Sequence, residues 1–430
     1  MNDFQRALKE GLRLTPEAVM GHPGLLKLDL IRQGLRLRPE IRAEMGIQPN
    51  PHEIFATGLD LRLPGGLLAN VPLIETPSSA SPYRLELCGE SACINYAETE
   101  LAVPVSVLPP PAYVGKRTVS GRSYNSIVNR HGDFVYIFPF NFCAYVTDDL
   151  ACAYCHLQPE DNPSLLDGKS IEEVLEVLRF VFRDRAPELV YLSVGQIGEE
   201  DGGIARLEPY VRLIKKHFDT LVGIEVMPPQ QMSWILRAYA MGADALCFSM
   251  GVYDRDLFSR LLPGRAEDGG YDHYLASLKY AASIFPRGAV YTRFMLGLEP
   301  IESALMGVGR LTDFGVVPLL PLYRPPRYGR APVIPPQPDI PFETLVSIYR
   351  NWRQTLEEKQ LDSYWVRPIS QVTMPIDASA FSLPEEIGQK SWFTATPPTG
   401  WQRRTHRYGA TLRRLLRVRL ISDPTTEVGH

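Results

Sequence analysis

The sequence predicts an α/β fold built on a partial barrel of six βα units. Three observations predict it. Short runs of β-branched and aromatic residues alternate with amphipathic helical segments six times between residues 133 and 325. The chain is 430 residues long, enough for one large domain of ~250 residues with appended pieces. Hydrophobic residues make up 45% and charged residues 22% of it, as in an ordinary globular protein.

Residues 1–58 read as a helical region. Apolar positions recur at helical spacing in FQRALKEGL and LLKLDLIRQGL, broken by proline and glycine. Residues 59–130 read as a small β-rich region. LDLRLPGG, YRLELCGE and TELAVPVSVL are short, alternating or apolar, and separated by turn residues. VLPPPAYVGKRTVSGRS closes the region as a linker.

The barrel is expected over residues 131–330. DFVYIFPF is its first strand and the cysteine-bearing stretch FPFNFCAYVTDDLACAYCHLQPED follows. Strands ELVYLSVG, TLVGIEVM, ADALCFSM, AVYTRFMLG and VVPLLPLYRP come next. The helices between them are SIEEVLEVLRFVFRD, LEPYVRLIKKHF, MSWILRAYAMG, YDHYLASLKYAASIF and IESALMGVGRLTDFG. Strand–helix alternation of this length implies a parallel sheet, and a TIM-like (βα)6 part-barrel is its economical closure. Chemistry in such barrels sits at the C-terminal ends of the strands, where the cysteine loop falls. Residues 331–430 form a C-terminal extension: the proline-rich connector APVIPPQPDIP, the helix PFETLVSIYRNWRQTLEEKQ and the basic tail QRRTHRYGATLRRLLRVRL.

A formal net charge of −4 points to neither nucleic acid nor an anionic membrane as an obligate partner. The basic tail reads first as a solvated charged face. The N-terminus is amphipathic and mixed in charge, without the apolar core of a signal peptide. No apolar run approaches the ~20 residues needed to span a bilayer. A cytoplasmic location is the default expectation.

Three of the six cysteines, Cys143, Cys152 and Cys155, are spaced Cys-x8-Cys-x2-Cys. In a reducing compartment such crowding argues for a metal or cluster rather than a disulfide framework. Three thiolates can hold three irons of a [4Fe–4S] cube and leave the fourth open to a small ligand, whereas four suit a closed zinc or electron-transfer site. His156 could complete a zinc site, and three inert cysteines are the remaining alternative.

Cysteines just past the first strand of a six-unit βα barrel resemble those of the radical S-adenosylmethionine (radical SAM) enzymes. Cys152-Ala153-Tyr154-Cys155 matches that family's usual ending, in which an aromatic residue precedes the last cysteine. The resemblance covers about residues 133–325. It departs from the common Cys-x3-Cys-x2-Cys spacing in its first gap of eight residues. The resemblance implies a cluster on Cys143, Cys152 and Cys155 whose open iron chelates S-adenosylmethionine. It further implies reductive cleavage to a radical that abstracts hydrogen from a small-molecule substrate or biosynthetic intermediate, with an electron donor such as flavodoxin or ferredoxin. The cofactor carries the hard step, and the protein fixes geometry and excludes water.

The same resemblance implies cofactor-binding positions. Tyr154 belongs to the motif. The family's glycine-rich segment after the second strand, usually Gly-Gly-Glu, corresponds here to Val194-Gly195-Gln196-Ile197-Gly198-Glu199, which points to Gly195 and Gln196. Glu225 ends the third strand, and a glutamate inside an apolar strand needs a partner. Ser249 ends the fourth. Arg293, with Gly297 and Glu299 of GLEP, ends the fifth, and its guanidinium suits a carboxylate bidentately. Each has a plain alternative: a turn for Gly195, Gln196 and Ser249, a structural ion pair for Arg293. Cys247, within the fourth strand, reads as core.

Cys88 and Cys93 in ELCGESACINYAETE resemble the first part of the Cys-x4-Cys-x5-Cys auxiliary-cluster motif of lipoyl synthases, but Thr99 stands where the third cysteine would be. They read as ordinary buried thiols or a second metal site. The expectation is therefore a radical SAM enzyme acting on a small molecule. A sulfur-inserting enzyme of that family and a non-catalytic zinc-stabilised binding module are the alternatives.

Overall fold

Proline starts each of the first two helices, where its missing N–H costs nothing. They are α1 (Pro16–Gly21), capped by Thr15 Oγ1 at 3.3 Å from the Ala18 amide, and α2 (Pro23–Gln33). The computed structural model describes residues 14–44, 47, 58–74, 81–89, 91–97, 99–148, 150–155, 157, 168–323, 340–361, 364–369, 374 and 412. His156, the proline-rich connector and nearly all of the basic tail lie outside the described residues, as does the segment FQRALKEGL.

Helix α2 is apolar around most of its circumference and is buried accordingly. Leu25 and Leu28 join the barrel core, while Leu26 and Leu30 join a second core under the N-terminal sheet. Gly34, at φ 74°, ends the helix and turns the chain into β1 (Leu35–Leu37), followed by α3 (Pro39–Glu44). The helical reading of residues 1–58 misses β1. Its three residues carry no periodicity of their own, and the sheet they enter selects their conformation.

The β-rich region supplies β2 (Leu59–Arg62), β3 (Leu68–Val71), β4 (Leu73–Ile74), β5 (Tyr83–Cys88), β6 (Ser91–Tyr96) and β7 (Ala102–Val107). They form a seven-stranded sheet in the order β3-β2-β7-β6-β5-β1-β4. Cys88 and Cys93 form a disulfide across the β5–β6 hairpin, with Cα atoms 5.9 Å apart. This corrects both readings of the pair, because each sulfur is bonded to the other and neither is free to ligate a metal.

The second sheet is the barrel. It comprises β8 (Asn129–His131), β9 (Phe134–Ile137), β10 (Leu189–Ser193), β11 (Leu221–Glu225), β12 (Ala245–Cys247), β13 (Val290–Arg293) and β14 (Val317–Leu319), hydrogen-bonded in sequence order. The β9–β14 pairs are parallel, and β8 pairs antiparallel with β9. The sheet curls without closing, as a partial TIM-like barrel. Its strands are buried on both faces, which is why they read as continuous apolar runs rather than alternations.

Between the strands run α4 (Ala144–Thr147), α5 (Ile171–Arg185), α6 (Ile204–His217), α7 (Ser233–Met241), α8 (Arg255–Leu261), α9 (Pro263–Glu267), α10 (Gly270–Ile284) and α11 (Ile301–Asp313). Helix α5 shows how local sequence sets a boundary. Ser170 Oγ accepts from the Glu173 amide at 3.1 Å, and Glu173 Oε2 accepts from the Ser170 amide at 2.9 Å, a complete capping box. Val174, Val177, Leu178 and Val181 then follow at helical spacing and are buried. Helix α12 (Phe342–Glu358) packs on the β14 end of the sheet, where Trp352 Nε1 donates to the Pro318 carbonyl at 2.5 Å and Tyr349 Oη to the Leu320 carbonyl at 2.6 Å.

The two sheets are also tied by side chains. His131 Nδ1 of β8 lies 3.1 Å from Asp60 Oδ2 of β2, and Asn70 Nδ2 of β3 donates to Asp60 Oδ1 at 2.8 Å. Among the described residues, no helix is long and apolar enough to cross a membrane.

Candidate functional site

Strand β9 delivers the chain to the C-terminal edge of the barrel sheet, and the cysteine loop begins within six residues of its end. Lys169, buried, donates through Nζ to the Phe138 carbonyl and to Asn141 Oδ1 (3.0 Å), which pins the approach to the loop. Cys143 is the N-cap of α4, and this one-turn helix occupies half of the eight-residue gap before Cys152. The loop is also tied to the turn after β10. The Ala144 amide donates to the Gln196 carbonyl at 2.7 Å, and the Gln196 amide lies 3.4 Å from Cys143 Sγ.

Helices α8 and α9 hold the loop from the other side. The Ala153 amide donates to the Leu261 carbonyl at 2.8 Å, and the Gly264 amide to the Leu150 carbonyl at 3.2 Å. Gly264 is covered by the Tyr145 ring, since a Cβ there would stand 2.4 Å from Tyr145 Cδ1. Tyr145 Oη donates to Asp268 Oδ2 at 2.9 Å, and the Gln196 side-chain amide donates to the same carboxylate.

Cys143, Cys152 and Cys155 line a single cavity of ≈ 240 Å³. Tyr154, Gly195, Glu225, Ser249 and Arg293 also line it, from the loop, the β10 turn and the ends of β11, β12 and β13. Gln196 lies behind that wall, next to Cys143. Gly297 and Glu299 do not line it. Glu299 instead accepts from the Tyr253 and Asp254 amides at 2.8 Å and from Ser303 Oγ at 2.8 Å, so its carboxylate anchors the turn leading into α8. Cys247 is fully buried and outside the cavity wall.

Glu225 and Arg293 form an ion pair at 2.9 Å. Tyr191 Oη donates to the same carboxylate oxygen at 2.6 Å, and Ser193 Oγ at 3.3 Å. Burial by itself raises the Glu225 carboxyl, but Arg293 and the Tyr191 hydroxyl outweigh it and hold the group below its ordinary value. Arg293 is therefore already matched to a carboxylate of the protein.

A second guanidinium, Arg265 of α9, also lines the cavity and was not legible as a site residue, because PGRAE carries no motif. It is 8% exposed. It donates to the Ser249 carbonyl and stands 5.9 Å from the Tyr154 ring centre and 6.0 Å from that of Tyr274, and its charge acts on the Cys152 sulfur and the Glu225 carboxylate. Among the described residues no carboxylate forms an ion pair with it, and its Nε has no hydrogen-bond partner. Burial pushes the Cys152 thiol up and the Cys155 thiol up to about 12, and Arg265 opposes the shift in both. The N-terminal region reaches the cavity too, through Ile31 of α2 and Asn70 of β3.

Two properties bear on what the cysteines can hold. Among the described residues, no three His, Cys, Asp or Glu side chains converge closely enough to hold one metal ion. The three sulfurs nonetheless line one cavity. A buried cation with no carboxylate and an unused N–H also calls for an anion beside it. A set of thiolates carrying a cluster is such an anion.

No family model matches the sequence, and no curated protein matches it. Among solved structures, the chain is similar to a methylornithine synthase, PylB, at 15% identity, with 66% of this chain and 82% of that one covered and a TM-score of 0.42. It is similar to HydG, a maturase of the [FeFe]-hydrogenase, at 13% identity, with 56% of this chain and 55% of that one covered and a TM-score of 0.44. It is also similar to a radical SAM methyltransferase from Sphaerobacter thermophilus, at 15% identity, with 65% of this chain and 76% of that one covered and a TM-score of 0.37.

Proposed function

We propose that this chain is a radical SAM enzyme acting on a small-molecule substrate. One observation carries the reading: three cysteines at the C-terminal end of the first parallel strand line one cavity together with a buried guanidinium that, among the described residues, makes no ion-pair contact with a carboxylate. Cys143, Cys152 and Cys155 would hold a [4Fe–4S] cluster, and the cavity between them and the ends of β11–β13 would hold S-adenosylmethionine. When bound, this pair supplies an electron and a carbon-centred radical that abstracts hydrogen from an unactivated position.

The chain's own residues do the rest. The Gln196 amide donates toward Cys143 Sγ at 3.4 Å, and the Arg265 charge opposes the upward shift that burial imposes on the Cys152 thiol. Gly195 leaves room for Cys143 against the β10 turn. Glu225, kept ionised by Arg293 and Tyr191, is an acceptor for hydroxyl or ammonium groups at the cavity wall. Ser249 and Tyr154 lie against Arg265 and provide hydroxyls there. Met295, Leu319, Leu322 and Ile31 give part of the cavity wall an apolar character, which disfavours water there. A reductant such as flavodoxin or ferredoxin would supply the electron. The sulfur-inserting alternative loses its motive with Cys88 and Cys93 paired to each other.

The test is anaerobic. The protein is reconstituted with iron and sulfide, reduced in the presence of S-adenosylmethionine, and assayed for 5′-deoxyadenosine by mass spectrometry. The expected result is product from the wild type and none from Cys152→Ala. A colourless protein with stoichiometric zinc, or full iron retention and full product in Cys152→Ala, overturns the reading.

A further inference from the structure

We infer that Arg265 sets the reduction potential of the cluster held by Cys143, Cys152 and Cys155, acting as the cavity's one uncompensated positive charge among the described residues. The inference rests on the cluster reading above.

Two guanidiniums line the cavity, and they differ in how their charge is met. Arg293 is neutralised by Glu225 at 2.9 Å, with Tyr191 closing the group. Arg265 faces a backbone carbonyl, the sulfur of Cys152 and the rings of Tyr154 and Tyr274. None of these carries a formal charge in the cluster-free protein with Cys152 a thiol, and the Glu225 carboxylate that also acts on Arg265 is already ion-paired to Arg293. A buried, unpaired cation is costly, and the fold retains this one on a five-residue helix clamped against the cysteine loop. The clamp consists of the Ala153–Leu261 and Gly264–Leu150 hydrogen bonds and the Tyr145 ring over Gly264. It fixes the distance between the guanidinium and the loop, so the charge acts at constant range.

The electrostatic consequence has a definite sign. Reduction of the cluster by a one-electron donor adds one negative charge to it, and the donor loses that electron. A fixed cation at low local dielectric stabilises the reduced form more than the oxidised form and raises the potential. The Glu225–Arg293 pair, being neutral overall, has little net effect. Arg265 is thus a positioning and tuning residue for electron entry.

The experiment is a redox titration followed by electron paramagnetic resonance. It uses anaerobically reconstituted wild type, Arg265→Gln, Arg265→Lys and the double variant Glu225→Gln/Arg293→Gln, all without S-adenosylmethionine. Iron and sulfide contents are measured on each sample. At the wild-type midpoint, Arg265→Gln is expected to show a reduced-to-oxidised ratio at least about tenfold lower, equivalent to 59 mV for one electron. Arg265→Lys, which keeps the charge, is expected to stay at the wild-type midpoint, as is the double variant. A fully loaded Arg265→Gln with an unchanged midpoint overturns the inference, even if it has lost affinity for S-adenosylmethionine. So does a double variant displaced as far. If Arg265→Gln binds no cluster, Arg265→Lys decides: a loaded cluster at the wild-type midpoint supports the inference, and a lowered midpoint or failure to load overturns it. A wild type that takes up no cluster overturns the functional reading itself.

Discussion

Gly195 and Cys143 are in contact across two loops that are 52 residues apart in the chain, so close that a Cβ on Gly195 would stand 2.6 Å from the Cys143 Cβ and 2.6 Å from the Phe142 carbonyl oxygen. The contact fixes the first cysteine against the turn after β10. One of the two opposing atoms belongs to the backbone, so neither loop can yield by turning a side chain. Gly195→Ala is expected to push the Cys143 loop outward, costing about 1–3 kcal/mol as an overpacked site and lowering iron bound per chain after reconstitution. Urea denaturation and iron analysis read both effects, and a variant equal to wild type in both would show that the loops give freely.

The Glu225–Arg293 pair predicts an asymmetry between single and double substitutions. Both side chains are at most 15% exposed. Glu225→Gln leaves Arg293 buried with no anion, which is expected to cost about 3–5 kcal/mol. Glu225→Gln combined with Arg293→Met removes both charges and should be less destabilising than the single change. The pH dependence has a definite sign. The folded carboxyl titrates below the ordinary glutamate value, so its stabilising contribution is present above that ordinary value and is lost as pH falls through the folded value. Denaturation curves from pH 3 to 6 should lose part of this slope in the double variant.

Lys169 titrates in a different window. Burial is the main cause that brings its ammonium down to about 7 from 10.5, with the Arg122 charge acting in the same direction. Between those values the unfolded chain binds the proton and the folded chain does not, so stability rises with pH across the window and is lower below pH 7. Lys169→Met is expected to flatten the stability profile between pH 7 and 10. It should also loosen Phe138 and Asn141, the residues to which Lys169 donates. Hydrogen exchange at 138–143 measures the second effect, and an unaltered stability profile would remove Lys169 as its source.

The clamp of α9 on the cysteine loop gives a fourth expectation. Gly264→Val places methyl groups where the Tyr145 ring lies, with a Cβ already 2.4 Å from Tyr145 Cδ1. A cost of about 1–3 kcal/mol is expected, with faster exchange of the amides of Ala144 and Ala153. Asp268→Asn, which weakens the acceptor shared by Tyr145 and Gln196, should act in the same direction and more mildly. Protection at Ala153 unchanged in Gly264→Val would mean that the loop stands without the clamp.

The barrel was readable in the sequence because each of its strands is buried on both faces and each intervening helix on one. DFVYIFPF, ELVYLSVG and TLVGIEVM could hardly be anything but buried strands once amphipathic helices separated them, and β9, β10 and β11 lie within them. Ser170 and Glu173 declare the start of α5 by local chemistry alone. Leu35–Leu37 was not readable, because three residues have no period and the strand exists only beside β4 and β5. Helices α8 and α9 carry no sequence signal because, at seven and five residues, they are too short for a helical period to stand out.

By itself the sequence determined the order of strands and helices and the place of Cys143, Cys152 and Cys155 at the end of the first barrel strand, since both follow from hydrophobic period and spacing along the chain. Which charges meet follows from the packed fold alone. Arg293, a natural partner for a ligand's carboxylate when read in isolation, is taken by Glu225, 68 residues away. Arg265, which no motif marks, is brought by α9 into the cavity of the cysteines, with no carboxylate in ion-pair contact among the described residues. Charge pairing depends on distances of a few ångströms between strand ends and loops, and those distances are set by how the sheet curls and what packs on its edge, not by any local pattern of residues.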